Sequence, residues 1–133
     1  MRLVLRYERT MIDRESVADW VGRYITAWDS NRPADIRSLL THEAEYRWNP
    51  WDEPTTGADA VTAAWLDHRD EPGDHAFTWE IEAVDGDTAV VRGRTDYTEG
   101  PPYANLWLIR FDVDGRRATS FTEWWMTPRG QDG

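Results

Sequence analysis

The spacing of apolar residues between Val17 and Trp28 is the feature that most limits how this chain can fold. These residues recur three or four positions apart, which places them on one side of a long helix. They are Val17, Trp20, Val21, Tyr24, Ile25 and Trp28. Asp13 and Ser16 are suitable capping residues at its start, and the turn-forming run 29–33, which ends in a proline, closes it. The sequence therefore predicts an N-terminal helix with one face buried.

From residue 77 onwards the apolar period changes from helical to two, which is typical of strands. Asp85-Gly86 and Asp114-Gly115 are suited to hairpin turns, because such turns need positive φ. Antiparallel strands are predicted over residues 77–83, 88–97, 103–113 and 117–127. Upstream of them, the sequence predicts a short helix at 34–40, a short strand at 44–48 and a third helix from Gly57 to about His68.

Helices followed by strands in this order indicate an α+β domain, with helices covering one face of a curved sheet. Such an arrangement leaves a blind cavity that suits a small molecule. A chain of 133 residues has the size of one domain. We place that domain at residues 13–128, with an N-terminal extension at 1–12 and a C-terminal tail at 129–133.

Composition excludes several classes of function. The 15 basic and 25 acidic residues give a net charge of -10, which disfavours nucleic acid and membrane surfaces as partners. The chain has no cysteine, and its basic residues are all arginine, so thiol and Schiff-base catalysis are excluded. The short apolar stretch near Met1 fits neither a signal peptide nor a membrane span, and we predict a cytoplasmic protein.

Cofactor motifs are also missing from the sequence. His42, His68 and His75 are isolated, without the spacing of a metal site, and we predict that they lie on the surface. The sequence has no glycine loop for phosphate and no G-x-S-x-G elbow. We therefore expect neither a metal nor an organic cofactor.

The helix order, the helix start at Gly57 and the C-terminal strands resemble a known family. The strands run from Arg110-Phe111-Asp112, through Asp114-Gly115, to Glu123-Trp124-Trp125. Together these features resemble the nuclear transport factor 2-like superfamily, which includes ketosteroid isomerase and the SnoaL-like polyketide cyclases. The resemblance covers about residues 13–128 and implies a cone-shaped sheet, antiparallel or mixed, wrapped around the long N-terminal helix. It says less about activity, because this fold hosts isomerases, cyclases, hydrolases and binding proteins.

Of the three catalytic positions of ketosteroid isomerase, this sequence keeps one. Tyr24 matches the tyrosine that stabilises oxygen charge. The general-base aspartate falls on Asn49, and the second acid falls on Trp107. An amide accepts no proton at neutral pH, so this resemblance argues against the standard isomerase mechanism.

The second hairpin decides which residues face the cavity. A two-residue turn would pair Val113 with Arg116, and Trp107 matches a pocket position of the family. The inward face would then carry Asn105, Trp107, Ile109, Ser120, Thr122 and Trp124, and the outward face Leu106, Leu108, Arg110, Phe121, Glu123 and Trp125. The outward set is too apolar to leave in water, so we predict a homodimer through it, as the resemblance also implies.

Tryptophans are the main indication of a ligand. Rigid indoles form flat apolar walls; core filling is the better explanation of any single one, but the six together favour an aromatic-lined pocket. The predicted pocket residues are Trp28, Trp48, Trp51, Trp65, Trp107 and Trp124, together with Asn49, Asn105 and Thr122. Tyr24 has two interpretations, a core tyrosine bonded to a backbone carbonyl or a pocket residue. Asn49 either orients a substrate or only shapes a turn before Pro50.

The sequence pattern does not decide which face of its strand carries the candidate base. Arg92, Arg94 and Asp96 share one face of their strand, which lies either in the cavity or on the solvated side of the sheet. Asp96 is the candidate base if it points inward. Glu123 is assigned to the dimer interface.

These observations lead to two hypotheses for function. The first is a SnoaL-like protein that binds a small apolar or aromatic molecule and transforms it as an isomerase, cyclase or hydrolase, with Tyr24 and Asp96 as catalytic residues. The alternative is a non-catalytic ligand-binding or dimerisation module. What separates the two is whether a carboxylate reaches the cavity beside Tyr24: Asp96 pointing inward supports the enzyme, and Asp96 pointing outward supports the binding module.

Overall fold

The computed structural model describes residues 12–128. The predicted C-terminal tail and, apart from Ile12, the predicted N-terminal extension lie outside the described residues. The elements are α1 (Arg14–Ser30), α2 (Pro33–Arg37), β1 (Leu40–Arg47), β2 (Thr55–Thr56), α3 (Ala58–Asp67), β3 (His75–Asp85), β4 (Thr88–Tyr97), β5 (Tyr103–Phe111) and β6 (Ala118–Met126).

The six strands form one mixed sheet in the order β2-β1-β6-β5-β4-β3. Strands β3 to β6 form an antiparallel meander, and β1 pairs with β6 in parallel. The α+β architecture predicted from the sequence is confirmed, with three helices against one sheet. Within residues 12–128, no helix is long and apolar enough to cross a bilayer.

Helix α1 forms where its apolar stripe predicts it. The carboxylate of Asp13 accepts from the backbone N–H of Ser16 at 2.8 Å, and the Ser16 hydroxyl bonds back to the N–H of Asp13, which makes a capping box. At the other end, Asn31 adopts a left-handed φ of 53° and donates its N–H to the carbonyl of Ala27. The buried stripe packs on the sheet through Trp20, whose ring centroid lies 5.9–6.3 Å from those of Trp107, Phe111 and Phe121.

The predicted register of the β5–β6 hairpin holds where Phe111 pairs with Ala118 and is wrong from Arg110 onwards. Its connection is longer than a two-residue turn, because Asp112 donates its N–H to the carbonyl of Arg117 and the Asp114 carboxylate binds the N–H groups of Arg116 and Arg117. Phe111 pairs with Ala118 but Arg110 pairs with Ser120. One residue of β6 is therefore unpaired, which is a β-bulge.

This bulge exchanges the two faces of β6, because side chains alternate along a strand. Phe121 is fully buried and stacks on core rings, and Glu123 lies opposite Trp107 in the ladder. Ser120, Thr122 and Trp124 face the outside of the sheet, opposite the predicted direction. The face turned toward α1 is called the inner face below, and the opposite one the outer face.

The β3–β4 hairpin settles the register that the sequence left open. Asp85 pairs with Thr88, and the inward residues of β4 include the fully buried Ala89 and Val91. Arg92, Arg94 and Asp96 point to the outer face. There Arg92 pairs with Glu80 and Glu82, and Arg94 pairs with Asp96 at 2.9 Å.

Candidate functional site

A cavity of about 500 Å³ lies between α1 and the inner face of the sheet. Its walls come from α1, α3 with the loop after it, the end of β1, strands β4, β5 and β6, and the loop between β4 and β5. This volume is in the range of sites that enclose small organic ligands. The side chains along its walls are Tyr24, Trp28, Trp48, Trp65, His68, Arg69, Asp70, Thr95, Tyr97, Glu99, Tyr103, Asn105, Trp107, Glu123 and Trp125.

Glu123 is the carboxylate of the cavity's inner wall. Its Oε2 accepts a hydrogen bond from Asn105 Nδ2 at 2.5 Å. Burial raises the pKa of Glu123 from 4.5 to about 7, and the nearby N–H groups of Asn105 and Trp107 oppose that rise. The Trp107 N–H does not reach hydrogen-bond geometry, so it is a buried donor without a partner among residues 12–128. Near neutral pH, Glu123 is thus divided between its neutral and charged forms, as an acid-base catalyst requires.

Two tyrosines form the donor group of the site. The hydroxyls of Tyr24 on α1 and Tyr46 on β1 lie 2.7 Å apart, and both side chains are buried. Burial raises the pKa of each phenol well above 10, and the charge of Glu123 adds to the rise at both. Both phenols therefore stay protonated at neutral pH. Only Tyr24 of the two lines the cavity, so the pair can satisfy itself by Tyr46 donating to Tyr24 while Tyr24 donates to a ligand.

A second carboxylate, Asp70, holds the loop after α3 at the cavity. Its Oδ2 accepts from Trp28 Nε1 at 2.9 Å and from the Tyr97 hydroxyl at 3.0 Å. The backbone carbonyl of Asp70 accepts from Asn31 Nδ2 at 2.9 Å. Burial, followed by the charge of Asp70, raises the pKa of Tyr97. Asp70 therefore ties this loop to both α1 and β4.

The structure brings together part of the predicted site. Six of the predicted residues line the cavity. The cavity residues among the predictions are Tyr24, Trp28, Trp48, Trp65, Asn105 and Trp107.

The other predicted site residues lie outside the cavity lining, each for a visible reason. Asn49 shapes its turn by bonding the Asp52 carboxylate and the backbone N–H of Trp51. Trp51 is 94% exposed. The bulge in β6 turns Thr122 and Trp124 to the outer face.

The same outer face holds Asp96, the predicted base. Its carboxylate is about half exposed and binds the Arg94 guanidinium. The prediction that Asp96 is the base beside Tyr24 is therefore wrong. The carboxylate on the cavity wall that acts on Tyr24 is Glu123.

Sequence reasoning missed Glu123, Tyr97, Asp70 and Tyr103. The pattern of β6 does not choose a face for Glu123, because burying Phe121 places Glu123 inside by the period of two, whereas burying Trp124 places it outside. The loop residue Asp70 had no signal either, because it reaches the cavity only through its hydrogen bonds to α1 and β4.

One histidine also differs from its prediction. The His75 side chain is 2% exposed and stacks on Trp28 with ring centroids 4.0 Å apart. Its Nε2 lies 3.6 Å from Asp29 Oδ1, which is beyond hydrogen-bond distance. Within residues 12–128, no group of three or more His, Asp or Glu side chains is arranged to hold a metal ion.

Solved structures similar to this chain share its fold at low sequence identity. An NTF2-like protein of unknown function from Burkholderia xenovorans is 15% identical, with a TM-score of 0.68, over 86% of this chain and 85% of that one. A protein described as a putative ketosteroid isomerase from Kribbella flavida is 18% identical, with a TM-score of 0.68, over 88% and 82%. An LEH-like epoxide hydrolase from M. tuberculosis is 14% identical, with a TM-score of 0.60, over 85% and 84%.

No curated protein matches the sequence significantly. The family model of the SnoaL-like domain, however, matches residues 21–131, which is most of the chain. That match begins inside α1 and covers every residue of the cavity wall. The helix order, the mixed sheet and the cavity described above agree with it, and the chain belongs to the SnoaL-like domain family.

Proposed function

We propose that this protein is an enzyme that moves a proton within a small, largely apolar molecule held in the cavity. Glu123 takes the proton and returns it, and the Tyr24 hydroxyl donates a hydrogen bond to a substrate oxygen. The observation that carries the proposal is the position of Glu123, a mostly buried carboxyl group on the same cavity wall as indoles and beside a buried phenol. Removal and return of a proton next to an oxygen-bearing carbon is the chemistry of isomerisation and cyclisation.

The walls support an aromatic or polycyclic substrate. Trp28, Trp48, Trp65 and Trp107 present flat apolar surfaces, which are favoured for such guests. The polar side chains nearest the Tyr24 phenol include Glu123, whose charge acts on it. A ketone or enone on an apolar skeleton matches this arrangement, because its single oxygen needs only one donor.

The charge states of Glu123 and Tyr24 suit this reaction. Glu123 must be ionised to accept a proton, so the rate should rise with pH through about 7. Tyr24 must keep its proton to donate to the substrate, and its pKa lies well above 10. The expected pH profile therefore rises on its acidic side and stays level up to pH 9.

Hydrogen–deuterium exchange at carbon tests the proposal. Aromatic, steroid-like and polyketide-like ketones are first screened by quenching of tryptophan fluorescence. Those that bind are incubated with the protein in D₂O, and the loss of the α-proton signal is followed by NMR. We expect exchange with the wild type and a loss of about 10²-fold or more in Glu123→Gln, which is the usual size of a general acid-base contribution.

Asp96→Asn is the matched control, because it removes a carboxylate on the outer face and should leave exchange unchanged. If compounds bind but none of them undergoes exchange, the result favours the alternative, a non-catalytic binding module. Equal exchange in the wild type and Glu123→Gln would contradict the role of Glu123.

We also propose that the protein is a homodimer through the outer face. Leu106, Trp124 and Met126 are 38%, 40% and 65% exposed there, which leaves an apolar surface on β5 and β6. This surface replaces the predicted one, since Phe121, Glu123 and Trp125 are not part of it. The cytoplasmic location remains a prediction from the sequence.

A further inference from the structure

Two buried polar side chains connect to Glu123 in a row across three strands. Thr95 on β4 and Asn105 on β5 are 2% and 8% exposed. The Thr95 hydroxyl donates to Asn105 Oδ1 at 2.8 Å, and Asn105 Nδ2 donates to Glu123 Oε2 at 2.5 Å. Burying polar groups is costly unless they are bonded, and here every bond in the row leads toward Glu123.

The hydrogen bonds of the row favour one orientation of the Asn105 amide. A hydroxyl can meet either end of an amide, but this bond is the only one that the Thr95 side chain makes within residues 12–128, so in the reverse orientation its buried proton would have no acceptor. The donor end therefore points to Glu123. In the opposite orientation, the amide oxygen would accept the proton of the neutral acid and hold it against the sheet.

The two oxygens of Glu123 are consequently different. Oε2 is occupied as an acceptor. Oε1 has no hydrogen bond to residues 12–128, and the buried polar atoms without a partner in that range belong only to His75 and Trp107. Since Glu123 lines the cavity, Oε1 is an atom that the cavity reaches.

We propose that Thr95 and Asn105 are positioning residues for Glu123, which hold Oε2 as an acceptor and present Oε1, with its exchangeable proton, to the molecule in the cavity. The proposal deepens the function proposed above and rests on it for the use of that proton. The hydrogen-bond row itself does not depend on any substrate.

Other titratable groups lie around Glu123 or along the cavity and stay the same in the test below. They are Tyr24 from α1, Tyr46 from β1, Tyr97 from β4 and Tyr103 from β5, with His68, Arg69, Asp70 and Glu99 along the rest of the cavity lining. None of them belongs to the row, so a variant of Thr95 or Asn105 leaves their charges in place.

The test follows the side-chain carboxyl carbon of Glu123 by ¹³C NMR as the pH changes. The signal is assigned by its absence in Glu123→Gln, and no substrate is needed. In the wild type it should titrate near pH 7. Asn105→Leu removes a donor that favours the charged form, so the midpoint should rise by about one unit or more.

Variants of Thr95 separate positioning from packing. Thr95→Val keeps the shape and removes the hydroxyl, and the midpoint should rise by about half a unit as the amide loses its fixed orientation. Thr95→Ser keeps the hydroxyl and should restore the wild-type midpoint. If Asn105→Leu does not fold, the isosteric Asn105→Asp replaces it and should also raise the midpoint, because two carboxyl groups then share the site.

Midpoints within about 0.2 unit of the wild type in Thr95→Val and in the Asn105 variant would overturn the positioning role, since losing a real donor to the charged form shifts a titration by more than this. Failure of the function proposed above has a different signature. In that case the titrations shift as expected, but no ketone in the panel is bound or exchanged.

Discussion

Replacing Glu123 by glutamine should remove a pH dependence from the stability of this protein. Glutamine has the shape of the neutral acid and keeps an oxygen for the bond from Asn105. Burial raises the pKa of Glu123 from 4.5 to about 7 in the folded state. Between those values the folded protein holds a proton that the unfolded chain has lost, so the free energy of unfolding falls as pH rises. Above about pH 7 both states are ionised and the loss is complete.

The size of this effect follows from the shift. A difference of about 2.5 units, at about 1.4 kcal/mol per unit, sets an upper limit of roughly 3.5 kcal/mol. Glu123→Gln should therefore gain stability relative to the wild type between pH 4.5 and pH 8, by about 2 to 3 kcal/mol. The gain is largest at pH 8, where the wild type buries a charged carboxylate.

Urea unfolding at pH 4.5, 6 and 8, followed by tryptophan fluorescence, measures this difference. Asp96→Asn is the control, because it removes an exposed carboxylate paired with Arg94, and exposed pairs contribute only about 0–1 kcal/mol. Parallel stability curves for the wild type and Glu123→Gln would refute the reasoning. They would mean that Glu123 ionises in the folded protein as it does in the unfolded chain.

Three further predictions concern other parts of the molecule. Tyr24→Phe removes the donor that faces the cavity and should weaken binding of a ketone, measured by fluorescence quenching, by about tenfold, the cost of one hydrogen bond; an unchanged Kd would contradict it. Gly93→Ala should lower stability by about 1–3 kcal/mol in thermal unfolding, because a Cβ there would lie 2.3 Å from the Phe77 ring. Gly22→Ala, with open space around it in a helix, should instead raise stability by about 0.5–1 kcal/mol, and the same sign for both variants would argue against this packing. Trp124→Glu should convert a dimer into monomers in sedimentation velocity, whereas an unchanged mass would place the interface elsewhere.

The fold was largely predictable because it depends on local patterns. The stripe from Val17 to Trp28 makes α1 amphipathic, and Asp13 with Ser16 supplies its capping box. The alternation along β3 and the Gly86 turn with its positive φ determine the first hairpin. These signals act within a few residues, so they can be found without knowing what packs against them.

The candidate site was predictable only in part. The residues found from the sequence, such as Tyr24 and Trp65, lie on amphipathic helices whose buried face is evident. Trp51 was predicted to line the pocket because tryptophan is usually buried, but it is exposed. Nothing in a short loop between two prolines fixes whether an indole packs inward.

The sequence by itself determined the long helix and the four antiparallel strands of the meander, since these follow from apolar period, caps and turn residues. Only the tertiary structure decided which carboxylate enters the cavity. One unpaired residue in β6 reverses every side chain beyond it, which places Glu123 inside and Trp124 outside. That choice depends on burying Phe121 against Trp20, Tyr24 and Trp107. A contact between residues so far apart in sequence has no local signature.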